Sequence, residues 1–313
     1  MQKFMITGGT GFVGSHLIEE LMKLDSEITV IDDFSNSSKD RISQYEDRVN
    51  CIEKDISDSD WSELSNIKPD VIFHLATHPR SFSIKDPRRN MEVNVNGTLN
   101  LLEFAKKNNS KVIYTSNSGI YGNPPTVPID ESFRDNPTTP YDVNKLVGEY
   151  YGKIYHKFHG VYFISFRLAT VYGERQKINE KLGWYPVIPT FVEKLLQNDI
   201  PTIHSDGNQT RDFIYVKDVV NCLILGSKSE NSGGEVFNLS TETETSINDV
   251  YSLISKILKK DLQPKKGDEL PGDIRRMCYS YKKAKDALGY SPKFSVEEGI
   301  KRYIEWCKNQ IKK

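Results

Sequence analysis

The sequence predicts an α/β protein built on a doubly wound parallel sheet, and three observations predict it. Phe4, Met5 and Ile6 make a short apolar strand that runs through a glycine-rich turn, Gly8 to Gly14, into a helix carrying Leu17, Ile18, Leu21 and Leu24 at helical spacing. A second strand, Glu27 to Asp33, ends in carboxylates about 20 residues after that turn. Val71 to Ala76 is apolar without alternation, the pattern of a strand covered by helices on both faces.

The first turn has the form of a phosphate cradle. Gly9, Gly11 and Gly14 satisfy G-x-G-x-x-G, and Gly8, Gly11 and Gly14 satisfy G-x-x-G-x-x-G, so two adjacent registers fit. Glycines there allow a tight turn, let backbone amides approach a pyrophosphate, and bring the helix N-terminus to face it. Gly8, Gly11, Phe12 and Val13 are the candidate contacts. Asp32 is placed to accept hydrogen bonds from the adenosine ribose and to repel a 2′-phosphate, and no arginine immediately follows it. The expectation is a Rossmann-type domain that prefers NAD over NADP.

The next elements follow in order. Phe34 to Ser38, with Asn36 and Ser37, is a polar loop over the adenosine side. Val49 to Ile52 is a third strand ending at Asp55 and Ile56, which either border the adenine or are a surface acid and a core aliphatic. Leu75 and Ala76 end the fourth strand and face the cofactor. His74 and His78 flank that end without partners at metal-ligand spacing; a packed or hydrogen-bonded role is expected, and no metal is assigned. From Asn90 to Lys107, Met91, Val93, Val95, Leu99, Leu101, Leu102, Phe104 and Ala105 describe a helix apolar on more than one side, as if covered by the sheet and by a partner subunit.

Lys111 to Ser116 is the fifth strand and leads into Asn117 to Gly122. A helix beginning near Tyr141 carries Lys145 four residues on, on the same face. A phenol has an ordinary pKa of about 10, and a nearby ammonium favours the phenolate, so Tyr141 is the candidate general base near neutral pH.

The whole chain bounds the rest. Its 313 residues suit one large or two intimately packed domains, and 37% hydrophobic with 27% charged residues is ordinary for a globular protein. A formal charge of -1 gives no basic footprint, so neither nucleic acid nor membrane is implied as a partner. Cys51, Cys222, Cys278 and Cys307 are scattered, as free thiols in a reducing compartment would be. The first strand starts almost at Met1 and no apolar run is long enough to span a bilayer. A cytoplasmic location is expected.

Together the Gly8–Gly14 turn, Asp32, His74-Leu75-Ala76, Ile120-Tyr121-Gly122, Tyr141-x-x-x-Lys145, Arg167 to Gly173 and Gln209 to Phe213 resemble the extended short-chain dehydrogenase/reductases, above all the NAD-dependent nucleotide-sugar epimerases and dehydratases. The resemblance covers nearly the whole chain. It implies an NAD-binding domain over 1–173 with segments returning at about 213–240, and a smaller nucleotide-sugar-binding region formed by 174–212 and 241–313. Phe213 to Leu225 and Glu235 to Leu239 read as the returning segments, and Ser246 and Ser295 as capping residues of two structural helices. It also implies a homodimer through the Asn90 and Tyr141 helices. Arg211 and Arg275 match positions where such enzymes place arginines for a nucleotide diphosphate, a task suited to the planar guanidinium. His78, Asn96, Ser118, Thr170, Arg175 and Gln176 are further candidates for the sugar and phosphate region.

Three departures bear on the reaction. Five residues before Gly122, where these enzymes usually carry a Ser or Thr, stands Asn117. A hydroxyl donates and accepts through one atom, whereas an amide must use two. Polarisation is kept, and the proton relay is put in question. Ser116 and Ser118 should point to the opposite face of an extended strand end. The acidic pair of the dehydratases is replaced by Ser118 and Gly119, which disfavours dehydration. Thr170 replaces the usual Asn, and Leu270 stands where many epimerases have Arg before Pro-Gly-Asp. The function expected is oxidation of a ring hydroxyl, C4 first, of a nucleotide-diphosphate sugar by NAD. Tyr141 is the base, Lys145 its cationic partner and Asn117 the orienting residue. A net 4-epimerase is favoured over a 4-dehydrogenase releasing the keto sugar. A non-catalytic NAD-binding scaffold is the reading from another class.

Overall fold

The structure is a computed structural model that describes residues 1–179, 184–269 and 274–311. Its strands are β1 (Gln2–Thr7), β2 (Ser26–Asp32), β3 (Val49–Glu53), β4 (Val71–His74), β5 (Lys111–Asn117), β6 (Phe163–Leu168), β7 (Thr170–Tyr172), β8 (Thr202–His204), β9 (Thr210–Tyr215), β10 (Val236–Leu239), β11 (Glu244–Ser246) and β12 (Lys265–Gly267). The helices are α1 (Phe12–Leu21), α2 (Arg80–Ser83), α3 (Pro87–Met91), α4 (Gly97–Asn108), α5 (Pro140–His159), α6 (Val187–Leu196), α7 (Val216–Lys228), α8 (Ile247–Leu258), α9 (Lys282–Leu288) and α10 (Val296–Ile311).

Seven strands form one sheet in the order β10-β6-β5-β4-β1-β2-β3, and every neighbouring pair is parallel. Strand alternation sends Phe4 and Ile6 into one core, with Leu17 and Ile18 of α1 and Val219 and Leu223 of α7. Met5 goes to the other face, with Leu101, Leu102 and Ala105 of α4 and with Tyr114 and Phe163. The doubly wound parallel sheet is therefore what the sequence predicts. α5 is held close to this second face. A Cβ on Gly148 would lie 2.4 Å from Tyr114 Oη, and one on Gly152 would lie 2.1 Å from Phe163 Cζ.

The helix read from Asn90 to Lys107 is present, but α3 and α4 are joined by a π-helical turn, Glu92–Asn96. The two returning segments have different destinations. Glu235 to Leu239 supplies β10 of the main sheet, while Phe213 to Tyr215 belongs to β9, which sits between β7 and β11 in a separate three-stranded sheet. A third core fills the C-terminal region: Phe213 and Tyr215 pack with Phe191 and Leu195 of α6, Val250 and Ile254 of α8, and Ile300 and Ile304 of α10. Ser246 accepts from Asp249 N at 3.0 Å and Ser295 from Glu298 N at 3.2 Å, the two expected caps. Among the described residues, no helix is long and apolar enough to cross a membrane.

Candidate active site

The glycine turn joins β1 to α1 through Gly8, which has φ +71 and would set a Cβ 2.7 Å from Ala76 N. Only glycine adopts that conformation without strain, and only a missing side chain lets β4 approach. Gly14 sits beneath the turn, where a Cβ would lie 2.4 Å from Gly8 O. No side chain caps α1 at Gly11 and no acid sits in its first turn. The first amides of α1, from Phe12 and Val13, therefore offer their N–H groups and the positive end of the helix to a phosphate.

Asp32, at the end of β2, is 7% exposed and ties the adenosine side together. It accepts from Thr10 N at 3.0 Å, Phe34 N at 3.1 Å and Ser37 Oγ at 2.8 Å. Ser37 also accepts from Thr10 Oγ1 at 2.6 Å, whereas Asn36 is exposed beside Ser35. One arginine does reach this turn, from a position further along the chain: Arg41 Nη1 donates to Thr10 O at 3.2 Å. Asp55 accepts from Ser57 and pairs with Arg89, and Ile56 is buried against Gly97. A cradle that a Cβ would fill, an uncapped helix start and a ribose-side acid together fit a dinucleotide.

Beyond β4, Leu75 N donates to Thr7 O and Ala76 N to Thr7 Oγ1. His74 is buried between Thr7 Oγ1 at 2.7 Å and Thr98 Oγ1 at 3.0 Å, and burial pushes it down to about 3, so it is a neutral structural residue. The loop that follows is fastened by asparagines the sequence reading did not single out. His78 N donates to Asn94 Oδ1 at 2.9 Å, and Asn90 and Asn94 donate to His78 O at 3.1 and 3.2 Å. Asn144 of α5 donates to Asn90 Oδ1 at 2.8 Å. Asn90 and Asn94 are buried; Asn96 is exposed on the π-helical turn.

α5 begins with a capping box. Thr139 Oγ1 accepts from Asp142 N at 3.2 Å, and Thr139 N donates to Asp142 Oδ2 at 3.1 Å. Tyr141, Lys145 and Glu149 then recur at i, i+4 and i+8 along the helix. Lys145 is 2% exposed with Nζ 4.3 Å from the Tyr114 ring centroid. Its burial lowers it to about 7, opposed by the charge of Glu149. Burial pushes the Tyr141 phenol up, while Thr77 and Arg80 act to lower it and Asp142 to raise it.

Behind Lys145, Glu149 meets Arg167 of β6. Nε and Nη2 of the arginine donate to Oε1 at 3.0 Å and Oε2 at 2.7 Å, and Nη1 lies 2.9 Å from Asp135 Oδ1. The guanidinium also stands 4.7 Å from the centre of the Tyr121 ring. Asn117 ends β5 and caps the turn Ser118–Tyr121, its Oδ1 accepting from Gly119 N at 2.7 Å. Its Nδ2 is buried and has no partner among the described residues. Ser118 is buried and faces the Tyr279 phenol. A Cβ on Gly119 would lie 2.6 Å from both Asn117 Oδ1 and Asp142 Oδ1, so no acidic side chain fits at that position.

The two candidate phosphate arginines lie on segments joined by hydrogen bonds. Arg211 Nη1 donates to Ile274 O at 2.7 Å, and Thr210 N donates to Arg275 O at 3.0 Å. Arg275 forms a bidentate pair with Asp206 at 2.7 and 2.8 Å. Arg175 instead pairs with Glu19 on α1, and Gln176 is buried beside it. Thr170 opens β7, opposite Phe213 of β9. The Leu270-Pro271-Gly272-Asp273 stretch before Arg275 lies outside the described residues. Among the described residues, no group of three or more His, Cys, Asp or Glu could hold a metal ion.

The chain is 33% identical over 312 residues to the UDP-glucose 4-epimerase of Mycolicibacterium smegmatis, covering 98% of each protein. It is similar in structure to the UDP-glucose 4-epimerase of Thermotoga maritima, solved with UDP-glucose, at TM-score 0.94 and 31% identity, covering 99% and 100% of the two chains. It is also similar to the UDP-glucuronic acid 4-epimerase of Bacillus cereus, solved with UDP-glucuronic acid and NAD, at TM-score 0.90 and 31% identity with the same coverage. Residues 4–240 match the NAD dependent epimerase/dehydratase family, and the chain belongs to that family.

Proposed function

We propose that this chain is an NAD-dependent 4-epimerase of a UDP-sugar, oxidising the C4 hydroxyl and reducing the resulting ketone from its other face. The observation that carries the reading is Lys145, four residues after Tyr141 on α5 and buried over the Tyr114 ring of β5, the strand that ends at Asn117. NAD, held over the Gly8–Gly14 turn with Asp32 at its ribose, supplies the hydride acceptor and donor. Tyr141 takes the hydroxyl proton and returns it, Lys145 would lower the tyrosine's pKa when protonated and hold the nicotinamide ribose, and Asn117 orients the sugar oxygen. Arg211 and Arg275 neutralise the diphosphate, Arg275 by exchanging Asp206 for the ligand. The closed space at Gly119 supports epimerisation over dehydration.

A homodimer is part of the proposal. Val143, Tyr150, Ile154 and Phe158 form an exposed apolar stripe along α5, with Met91 exposed on α3. Covering that stripe with a second copy accounts for it, and light scattering showing a concentration-independent monomer would remove the dimer. The four cysteines are free thiols, which supports a reducing, cytoplasmic setting.

The deciding experiment incubates the protein with NAD and a panel of UDP-sugars, following reduced cofactor by absorbance and separating the sugars. A C4 stereoisomer without net reduced cofactor is the expected result. Accumulating reduced cofactor and free keto sugar would instead make it the 4-dehydrogenase. Tyr141→Phe should abolish turnover and leave NAD binding intact; retained turnover excludes Tyr141 as the base.

A further inference from the structure

We propose that Asn117 acts purely as a hydrogen-bond donor to the reacting sugar oxygen, so that oxidation moves one proton, directly from that oxygen to Tyr141, and the bound ketone is favoured. This rests on the 4-epimerase reading and specifies how its site departs from a hydroxyl relay. A relay needs an atom that gives one proton while accepting another, which a serine or threonine oxygen supplies. Asn117 has spent its acceptor. Oδ1 takes the Gly119 N–H at 2.7 Å and thereby caps the turn Ser118–Tyr121. Rotating the amide would set its NH2 against that N–H, two donors face to face, and would leave the turn uncapped. Oδ1 is also packed against Gly119, where a Cβ would lie 2.6 Å from it. What remains is Nδ2, buried and without a partner among the described residues.

Neighbouring hydroxyls do not restore the relay. Ser116 is one residue back on an extended strand and so faces the other side of β5. Ser118 faces Tyr279. Thr77, which meets the Tyr141 phenol, already donates its proton to Asn94 Oδ1 at 2.9 Å.

The step therefore balances simply. The sugar O–H bond would break with its proton going to Tyr141 as the phenolate, which becomes the phenol, and the C4–H electron pair would leave with its hydrogen as hydride to NAD, the family's cofactor. In the alcohol, the sugar oxygen accepts from Asn117 and donates to Tyr141. As a ketone it accepts from both, which suits a donor that cannot accept.

The test is a proton inventory on the NAD-loaded enzyme with a UDP-sugar it turns over, measuring cofactor reduction in single turnovers across mixtures of H2O and D2O. The native chain should give a straight line, one proton in flight. Asn117→Ser should give a bowed line, two protons, and should lower the fraction of cofactor reduced on the enzyme by about threefold to tenfold, the weight of one neutral hydrogen bond. A bowed line for the native enzyme overturns the proposal while leaving the epimerase reading standing. So does a straight line with an unchanged reduced fraction in Asn117→Ser, or in Asn117→Thr should the serine variant fail to fold. No reduction and no epimer with any UDP-sugar would defeat the epimerase reading itself, and the proposal with it.

Discussion

Replacing Arg167 by Met should unfold this protein far more readily than the loss of one side chain on a sheet would suggest. Arg167 is 4% exposed and Glu149 1% exposed, and the arginine donates to that carboxylate from Nε and Nη2. Methionine fills much of the same volume but leaves the buried Glu149 carboxyl without the guanidinium that donates to both its oxygens. Breaking a buried pair in this way costs about 3–5 kcal/mol, a large part of the roughly 5–15 kcal/mol that holds a domain folded. Asp135 loses a partner as well: its side chain is 24% exposed, but the Oδ1 that faces the arginine is buried. Equilibrium urea unfolding followed by tryptophan fluorescence measures the loss. The double variant Glu149→Leu/Arg167→Met, which removes both charges, should recover most of it. A single-variant loss below about 1 kcal/mol, or a double variant worse than the single, would refute the reasoning.

Other perturbations test separate parts of the structure. Asp32→Ala removes the acceptor of Thr10, Phe34 and Ser37 and should weaken NAD binding at least about tenfold by titration calorimetry; unchanged affinity would take Asp32 out of the cofactor site. Gly148→Ala gains about 1 kcal/mol of helix propensity but pushes a methyl into Tyr114, a cost of about 1–3 kcal/mol, so a lower melting temperature and a slower kcat are expected; a stabilised variant contradicts the packing. His74 binds its proton at about 3 when folded and near 6.5 when unfolded, so the unfolded chain is protonated first as pH falls. Its contribution is complete above pH 6.5 and drains away down to about 3, and His74→Gln should flatten the acid limb of the stability profile over that window. An identical limb in the variant would assign the acid loss to other groups.

How much of this was legible in the sequence depends on whether the partner lies nearby in the chain. The glycine turn, the caps at Ser246 and Ser295, and the Tyr141 and Lys145 pair are local patterns, and all are in the structure where spacing puts them. Phe213 to Tyr215 was legible as a strand but not as to sheet, because an apolar run reads the same in either. Arg175 gave no local sign of Glu19, 156 residues away, nor Glu149 of Arg167 and Asp135. The asparagines were ambiguous for another reason. Asn94 and Asn96 both sit near the start of a helix, and a period of 3.6 places them wrongly once the backbone passes through a π-helical turn. The rise of the Tyr141 phenol comes from burial, which nearest-neighbour charge counting omits.

That π-helical turn, Glu92–Asn96, also says something about how the helix could have been made. A π turn holds one residue more than an α turn, so it behaves as a single-residue insertion absorbed without unwinding its flanks. Asn90 before the turn and Asn94 within it keep their grip on the loop at His78; beyond it, Leu101, Leu102 and Ala105 keep their place under the sheet. The two halves are thus geometrically decoupled: a one-residue change between them alters the loop's anchorage while sparing the register of the core. Excising a residue at Val95 or Asn96 would convert the segment to ordinary helix, and the history of the site is open to reversal at that one place.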